Sequence, residues 1–209
     1  MLSVWKWIGL ALGVAVLAGG VWSQMSFVEE PKFTLAAKDG NFELRDYPPV
    51  IVAEVSVTGE RTAAIGKGFQ MIADFIFGNN TAAAKVAMTA PVQQQASAKI
   101  AMTAPVQQQG SGDAWTVQFI MPAQYTLETL PKPNNPEVKI RTIAGERVAV
   151  IRFSGVADDA LLASKTAELK AAMESRKLAA AGEPRYAFYN PPWVLGPLRR
   201  NEIMISVAQ

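Results

Sequence analysis

Apolar residues recur along the chain with two alternating periods, behind a long uncharged N-terminal stretch. Val50–Val57 places Ile51, Ala53, Val55 and Val57 on one face, the period of two of a half-buried strand. Phe42–Asp46 reads as a strand just before it, interrupted by Pro48-Pro49. The period then changes. Ile65, Phe69, Ile72 and Ile76 form one stripe of an amphipathic helix, begun at Thr58-Gly59-Glu60 and ended by Gly78. The order repeats. Trp115, Val117, Phe119 and Met121 alternate on one strand face. Val138–Thr142 and Val148–Phe153 are strands around the turn Ala144-Gly145-Glu146. Asp158 or Asp159 caps a helix running to about Leu178, with Leu162, Leu169 and Met173 inward and Lys165, Glu168, Lys170, Glu174 and Arg176 outward. Tyr186–Tyr189 and Glu202–Val207 are the last strands. Strand, helix, strand, strand thus occurs twice. This is an α+β pattern, expected to give two antiparallel sheets with a helix on each, open or closed into a distorted barrel.

The stretch from Trp7 to Val28 has no charged residue. As a helix it would be roughly 33 Å long, enough to cross a bilayer core. Trp5, Trp7 and Trp22 lie near its ends, where aromatic belts sit. Two readings stay open: a single-pass anchor with the domain outside the cytoplasm, or a signal peptide cleaved near Ala18-Gly19-Gly20 that leaves a secreted or periplasmic protein. The division is then 1–28 anchor or signal, 29–41 linker, and 42–209 domain.

Composition excludes more than it suggests. Lys plus Arg is 20 and Asp plus Glu is 18 in 209 residues, with no basic run, which argues against a nucleic-acid partner. The chain has no Cys and no His. Disulfides, thiolate nucleophiles and cysteine-ligated clusters are excluded, as are His-based triads and His-ligated metals or haem. Without a His, Ser154 cannot belong to a Ser triad, and Gly66-Lys67-Gly68 lies within a helix rather than in a phosphate loop. No enzyme signature is present.

The most distinctive feature is a tandem repeat. Lys85-Val86-Ala87-Met88-Thr89-Ala90-Pro91-Val92-Gln93-Gln94-Gln95 recurs from Lys99 to Gln109, with only Val86 replaced, by Ile100. The pattern predicts two consecutive strands joined by Ala96-Ser97-Ala98, with the prolines at an edge or bulge and the glutamines as solvated strand ends. Met88 and Met102 are candidates to line an apolar pocket.

Several motifs in a fixed order resemble the SOUL haem-binding family. They are Phe42-Glu43-Leu44-Arg45-Asp46-Tyr47-Pro48-Pro49, the doubled Ala-Met-Thr-Ala-Pro-Val, Tyr125-Thr126-Leu127-Glu128-Thr129-Leu130-Pro131, Arg152-Phe153-Ser154-Gly155, Tyr189-Asn190-Pro191-Pro192-Trp193 and Leu198-Arg199-Arg200-Asn201-Glu202. The resemblance implies a duplicated βαββ unit forming a distorted antiparallel barrel with two helices. It also implies a ligand, a tetrapyrrole such as haem first, held in an apolar groove without a His. Met71, Phe75, Met88 and Tyr189 are the implied groove residues, and Arg61 and Lys67 the implied partners of propionates. The alternatives are an interaction module taking a peptide or protein in the same groove and, less favoured, a catalytic derivative acting on a porphyrin-like ring.

Overall fold

The computed structural model describes residues 29–81, 99–111, 113–191 and 193–208. In chain order its elements are β1 (Thr34–Asp39), β2 (Phe42–Tyr47), β3 (Val50–Thr58), α1 (Arg61–Phe77), β4 (Asn80–Thr81), β5 (Val106–Ser111), β6 (Ala114–Ile120), β7 (Lys132–Pro133), β8 (Lys139–Ile143), β9 (Glu146–Phe153), α2 (Asp159–Ser175), β10 (Arg185–Phe188) and β11 (Asn201–Ser206). Nine strands make one antiparallel sheet in the order β1-β2-β9-β11-β10-β5-β6-β3-β8, and β4 pairs with β7 apart from it. No helix among the described residues is long and apolar enough to cross a membrane, and the expected span at Trp7–Val28 lies outside them.

The expected duplication is present as β3-α1-β5-β6 and β9-α2-β10-β11, which meet where β10 pairs with β5. The expectation of two sheets is corrected: there is one curled sheet, a half-barrel with β1 and β8 as its edges. The reason is an exchange of strands. β2 runs into β3 through Pro48-Pro49 yet pairs with β9, while β8 runs into β9 yet pairs with β3. Prolines cannot donate to a ladder, so the chain turns there instead of pairing with itself. The two corners touch so closely that a Cβ on Gly145 would lie 2.9 Å from the Tyr47 carbonyl oxygen. The segment 29–41, read as a linker, contributes β1, which pairs with β2 from Thr34 to Asp39 with a register shift between Leu35 and Ala37.

Both helices lie on one face of the sheet, α1 over β3 and β6 and α2 over β9 and β11. Glu60 caps α1 by accepting from the Thr62 and Ala63 amides, and Asp158 caps α2 by accepting from the Leu161 amide. Leu162, Leu169 and Met173 are buried as their spacing predicts. The α1 stripe is rotated from its expected position. Ala64, Gly68, Ile72, Phe75 and Ile76 are buried, whereas Phe69 is exposed. Gly68 explains the rotation: its Cα rests on the sheet, and a Cβ there would meet Val117 Cγ2 at 2.6 Å. With its smallest residue at the contact, the helix approaches closely, and Phe69 is turned onto its flank.

The second copy of the repeat is not a whole strand. Ile100 is buried under the end of α1, its amide donating to Ile76 O, and only Val106–Ser111 is strand. Pro105 sits just before that strand, Met102 is at the surface, and Gln107 and Gln108 are buried rather than solvated. A glutamine run can occupy the middle of a sheet because its backbone pairs with β6 and β10 on either side. The first copy lies outside the described residues.

The face away from the helices buries charged side chains among the apolar Val148, Val150, Ala187 and Met204. Arg45 of β2 is 1% exposed and Glu202 of β11 is 0% exposed. They form a bidentate pair, with Nη1 2.8 Å and Nη2 3.0 Å from the carboxylate oxygens. Arg45 Nε also donates to Glu43, 2.7 Å away, and Glu43 pairs with Lys38. Glu202 accepts further from Tyr189 Oη at 2.7 Å and from Arg200, which reaches on to Glu30. Burial opposes ionisation of Glu202, but the bonds and charge of Arg45, the charge of Arg200 and the Tyr189 phenol outweigh it and hold the carboxyl below the usual carboxylate range.

Two outcomes test this architecture. Ile72→Ala should destabilise by about 2–5 kcal/mol and Phe69→Ala by clearly less in chemical denaturation, because only the former opens a closed cavity. A folded pKa below the unfolded value makes the Glu202 contribution complete above about pH 4.3, and it is lost as pH falls through the depressed folded pKa. Glu202→Gln should therefore cost about 3 kcal/mol at neutral pH and flatten the acid limb of the stability profile; an unchanged acid limb would show that the pair does not hold the fold.

Candidate functional site

The strongest candidate site lies on the helix-covered face, at the seam between the two halves. There the N-terminal ends of α1 and α2 stand side by side. A cavity of about 360 Å3 opens between them, lined by Glu60, Arg61, Trp115, Asp159, Leu162 and Tyr186. This is at the lower end of the range for small-molecule sites, roughly 300–1,000 Å3. Tyr186 of β10 forms part of its floor and packs against the cores of both halves.

Beside Tyr186 in register, on β5, is Gln108. Its side chain is 1% exposed, and neither its amide nitrogen nor its amide oxygen has a hydrogen-bond partner. The indole nitrogen of Trp115, on the cavity wall, is also buried without a partner. Leaving a buried polar group unsatisfied costs about 1–3 kcal/mol, so two such residues in one place call for an explanation. Arg61 closes the mouth of the cavity. Its Nε lies 2.5 Å from Asp159 Oδ1, and its Nη2 donates to Ala157 O at 3.2 Å. Arg61 and Trp115 thus line the cleft, and Gln108 lies in the sheet beside Tyr186 of its floor, so three residues with N–H donors are gathered at the seam. Such a set suits an acceptor, above all a carboxylate, at the polar end of an otherwise apolar molecule.

The sequence-derived site residues are only partly gathered here. Arg61 is at the cavity. Lys67 is exposed and Met71 is half-buried against the core around β3 and β6. Successive helical residues turn by about 100°, so Met71 lies roughly 160° around α1 from Phe69, whose ring meets Phe119 of β6. Met71 and Lys67 thus occupy the flank away from the seam. Phe75 is 1% exposed and forms part of the core. Tyr189 is in the polar network on the other face. Burial and the Glu202 charge push its phenol far up, so it stays protonated and engaged. Met88 lies outside the described residues. Gln108 and Tyr186 were missed as site residues, and Trp115 was read only as core. The available signal was a polar side chain at a position where strand alternation points inward, and its neighbours in the glutamine run masked it.

No group of three or more acidic residues among those described could hold a metal ion. The cleft lacks His and Cys, the commonest strong ligands for haem iron, and its N–H donors fit the carboxylate groups of a tetrapyrrole.

No curated protein matches the chain. Among solved structures, the C-terminal domain of EcmrR superposes with a TM-score of 0.56 at 13% identity, covering 85% of this chain and 98% of that one. A hydrolase from Listeria innocua gives 0.54 at 14% identity, over 83% and 94%. At these identities the likeness establishes the fold alone. Residues 28–206 match the SOUL heme-binding protein family, a span that begins just before β1 and closes at the end of β11, and the chain belongs to that family.

Proposed function

We propose that the protein binds haem or a related tetrapyrrole at the seam cleft, with no side chain ligating the metal, and that the uncharged Trp7–Val28 stretch holds it at a membrane with the domain outside the cytoplasm. The observation that carries the binding reading is the pair of partnerless buried groups, Gln108 and Trp115, under a cavity guarded by Arg61. A carboxylate entering the cleft would accept from the Trp115 indole N–H and from the Gln108 amide N–H, and would exchange Asp159 for itself on Arg61. The apolar remainder of the ring would cover Tyr186 and Leu162. Burial then supplies most of the affinity, at about 25 cal/mol per Å2 of apolar surface removed from water. Binding rather than turnover is proposed because a chain without His or Cys lacks the commonest groups for proton transfer and nucleophilic attack.

Titration of the full-length protein with haemin and with metal-free porphyrin, followed by Trp quenching, tests this reading. The two should bind within about tenfold of each other, since the metal contributes little. Gln108→Leu should raise stability by about 1–2 kcal/mol, by removing unsatisfied groups, and should weaken both rings together. Arg61→Gln should weaken them without the gain in stability. A strong preference for haemin would show that a side chain does ligate the iron, with Tyr186 of the cleft floor the first to mutate. Failure to bind either ring would favour a peptide or protein as the occupant.

A further inference from the structure

On the other side of the β9–α2 connection, the chain between β10 and β11 forms a projecting apolar loop. Trp193, Leu198, Leu195 and the neighbouring Val156 are 81%, 72%, 71% and 60% exposed, the four most exposed large apolar side chains among the described residues. The loop is held in place rather than left loose. The Gly155 amide donates to Gly196 O, Leu198 N donates to Leu195 O, and Arg199 Nε donates to Val194 O at 2.7 Å. Ordered display of Trp and Leu to water is a cost that a soluble surface seldom carries without a partner.

Directly behind Leu198 is a basin of about 580 Å3 whose lining includes Lys38, Arg152, Arg199 and Arg200; Lys38 pairs with Glu43 in the same lining, and Arg200 is held by Glu202 and Glu30. An apolar tip backed by cations is the composition of a surface that sits in the headgroup region of an anionic bilayer. Trp and Leu enter the interface, and the exposed Lys38 and Arg152 meet lipid phosphates. Placement supports the same occupant. Arg200 binds Glu30 at 2.9 Å, and the uncharged stretch of the sequence ends at Val28, two residues earlier. Two extended residues span only about 7 Å. A membrane holding residues 7–28 would therefore begin beside the loop.

We infer that the Trp193–Leu198 loop and the cationic basin behind it form a docking face that seats the domain on an anionic lipid surface. The inference rests on the proposal that Trp7–Val28 holds the chain at the membrane.

The absence of cysteine allows a direct test. Leu195→Cys and Glu137→Cys, both exposed positions, are labelled separately with an environment-sensitive fluorophore in the full-length protein. Glu137 is close to the Asn79–Asn134 contact at the far end of α1, about 25 Å from the loop end of that helix. The protein is mixed with phosphatidylcholine vesicles with and without phosphatidylglycerol, and quenching by spin-labelled lipid is read. The label at 195 should shift to the blue and be quenched severalfold more than the label at 137, most strongly with phosphatidylglycerol. Trp193→Ser with Leu198→Ser should abolish that quenching while leaving the melting temperature unchanged. Lys38→Gln with Arg152→Gln should remove the dependence on phosphatidylglycerol. Flotation with the vesicles while the 195 label stays in water, or equal quenching at both positions, overturns the docking face alone. Failure of the full-length protein to float with either vesicle overturns both the docking face and the anchor.

Discussion

The bidentate Arg45–Glu202 pair is the constraint around which the sheet is arranged. Two fully buried charges are costly to take out of water, and only dense hydrogen bonding offsets that cost. Here each partner is saturated: Arg45 by Glu202, Glu43 and Tyr47, and Glu202 by Arg45, Arg200 and Tyr189. The pair joins β2 to β11 across the intervening β9. It therefore requires the strand exchange, because Arg45 reaches Glu202 only when β2 leaves its own half and pairs with β9. The apolar positions could tolerate a register slip more cheaply than this network, in which one missing partner leaves a buried charge. Specification of the topology is thus concentrated in a few polar residues, while Val148, Val150 and Met204 fill the space around them.

Division of labour between the two faces follows. The network locks one face of the sheet, and apolar packing under the helices stabilises the other. Each helix covers the outer strands of its own half, so the middle pair, β5 and β10, is left under the gap between them. The seam is the place on the helix face where burial is complete but coverage is shared, and there Gln108 and Trp115 stand without partners. The duplicated architecture creates the cleft, and departures from apolar character at its floor give it a chemistry.

Most of the scaffold was legible in the sequence and most of the site was not, for one physical reason. Periodicity reports which side of an element is apolar. It placed both helices, with a start at Thr58-Gly59-Glu60 and a cap at Asp158 or Asp159, and the alternating faces of β3 and β6. It did not report partnership between distant strands, so the exchange at Pro48-Pro49 and Ala144-Gly145 and the fusion into one sheet were invisible. Phe69 shows the limit within a single helix: a glycine one position earlier decided the rotation by steric contact, which a hydrophobicity pattern does not register. Gln107 and Gln108 show it within a strand. A run of three glutamines reads as solvated, yet its backbone is paired on both sides, and once the strand is central, alternate side chains are buried whatever their polarity. Arg61, Lys67, Met71, Phe75 and Tyr189 came from the family resemblance rather than from periodicity; the fold puts Arg61 at the cleft, Lys67 and Met71 on a flank, Phe75 in the core and Tyr189 on the opposite face.

The repeated segment makes the last connection. Its second copy supplies both Ile100, which closes the end of α1, and the strand that joins the halves. One face of that strand puts Gln107 toward the polar side, where its amide lies 3.9 Å from Met204 Sδ; the other puts Gln108 under the cleft. A strand of uniform side chains thereby serves two faces with opposite demands. On the networked face an amide is compatible with its surroundings. On the helix face the same amide has no protein partner and costs stability. A Leu at position 108 would suit folding better. The glutamine there is intelligible as a cost offset when a ligand with hydrogen-bonding groups enters the seam.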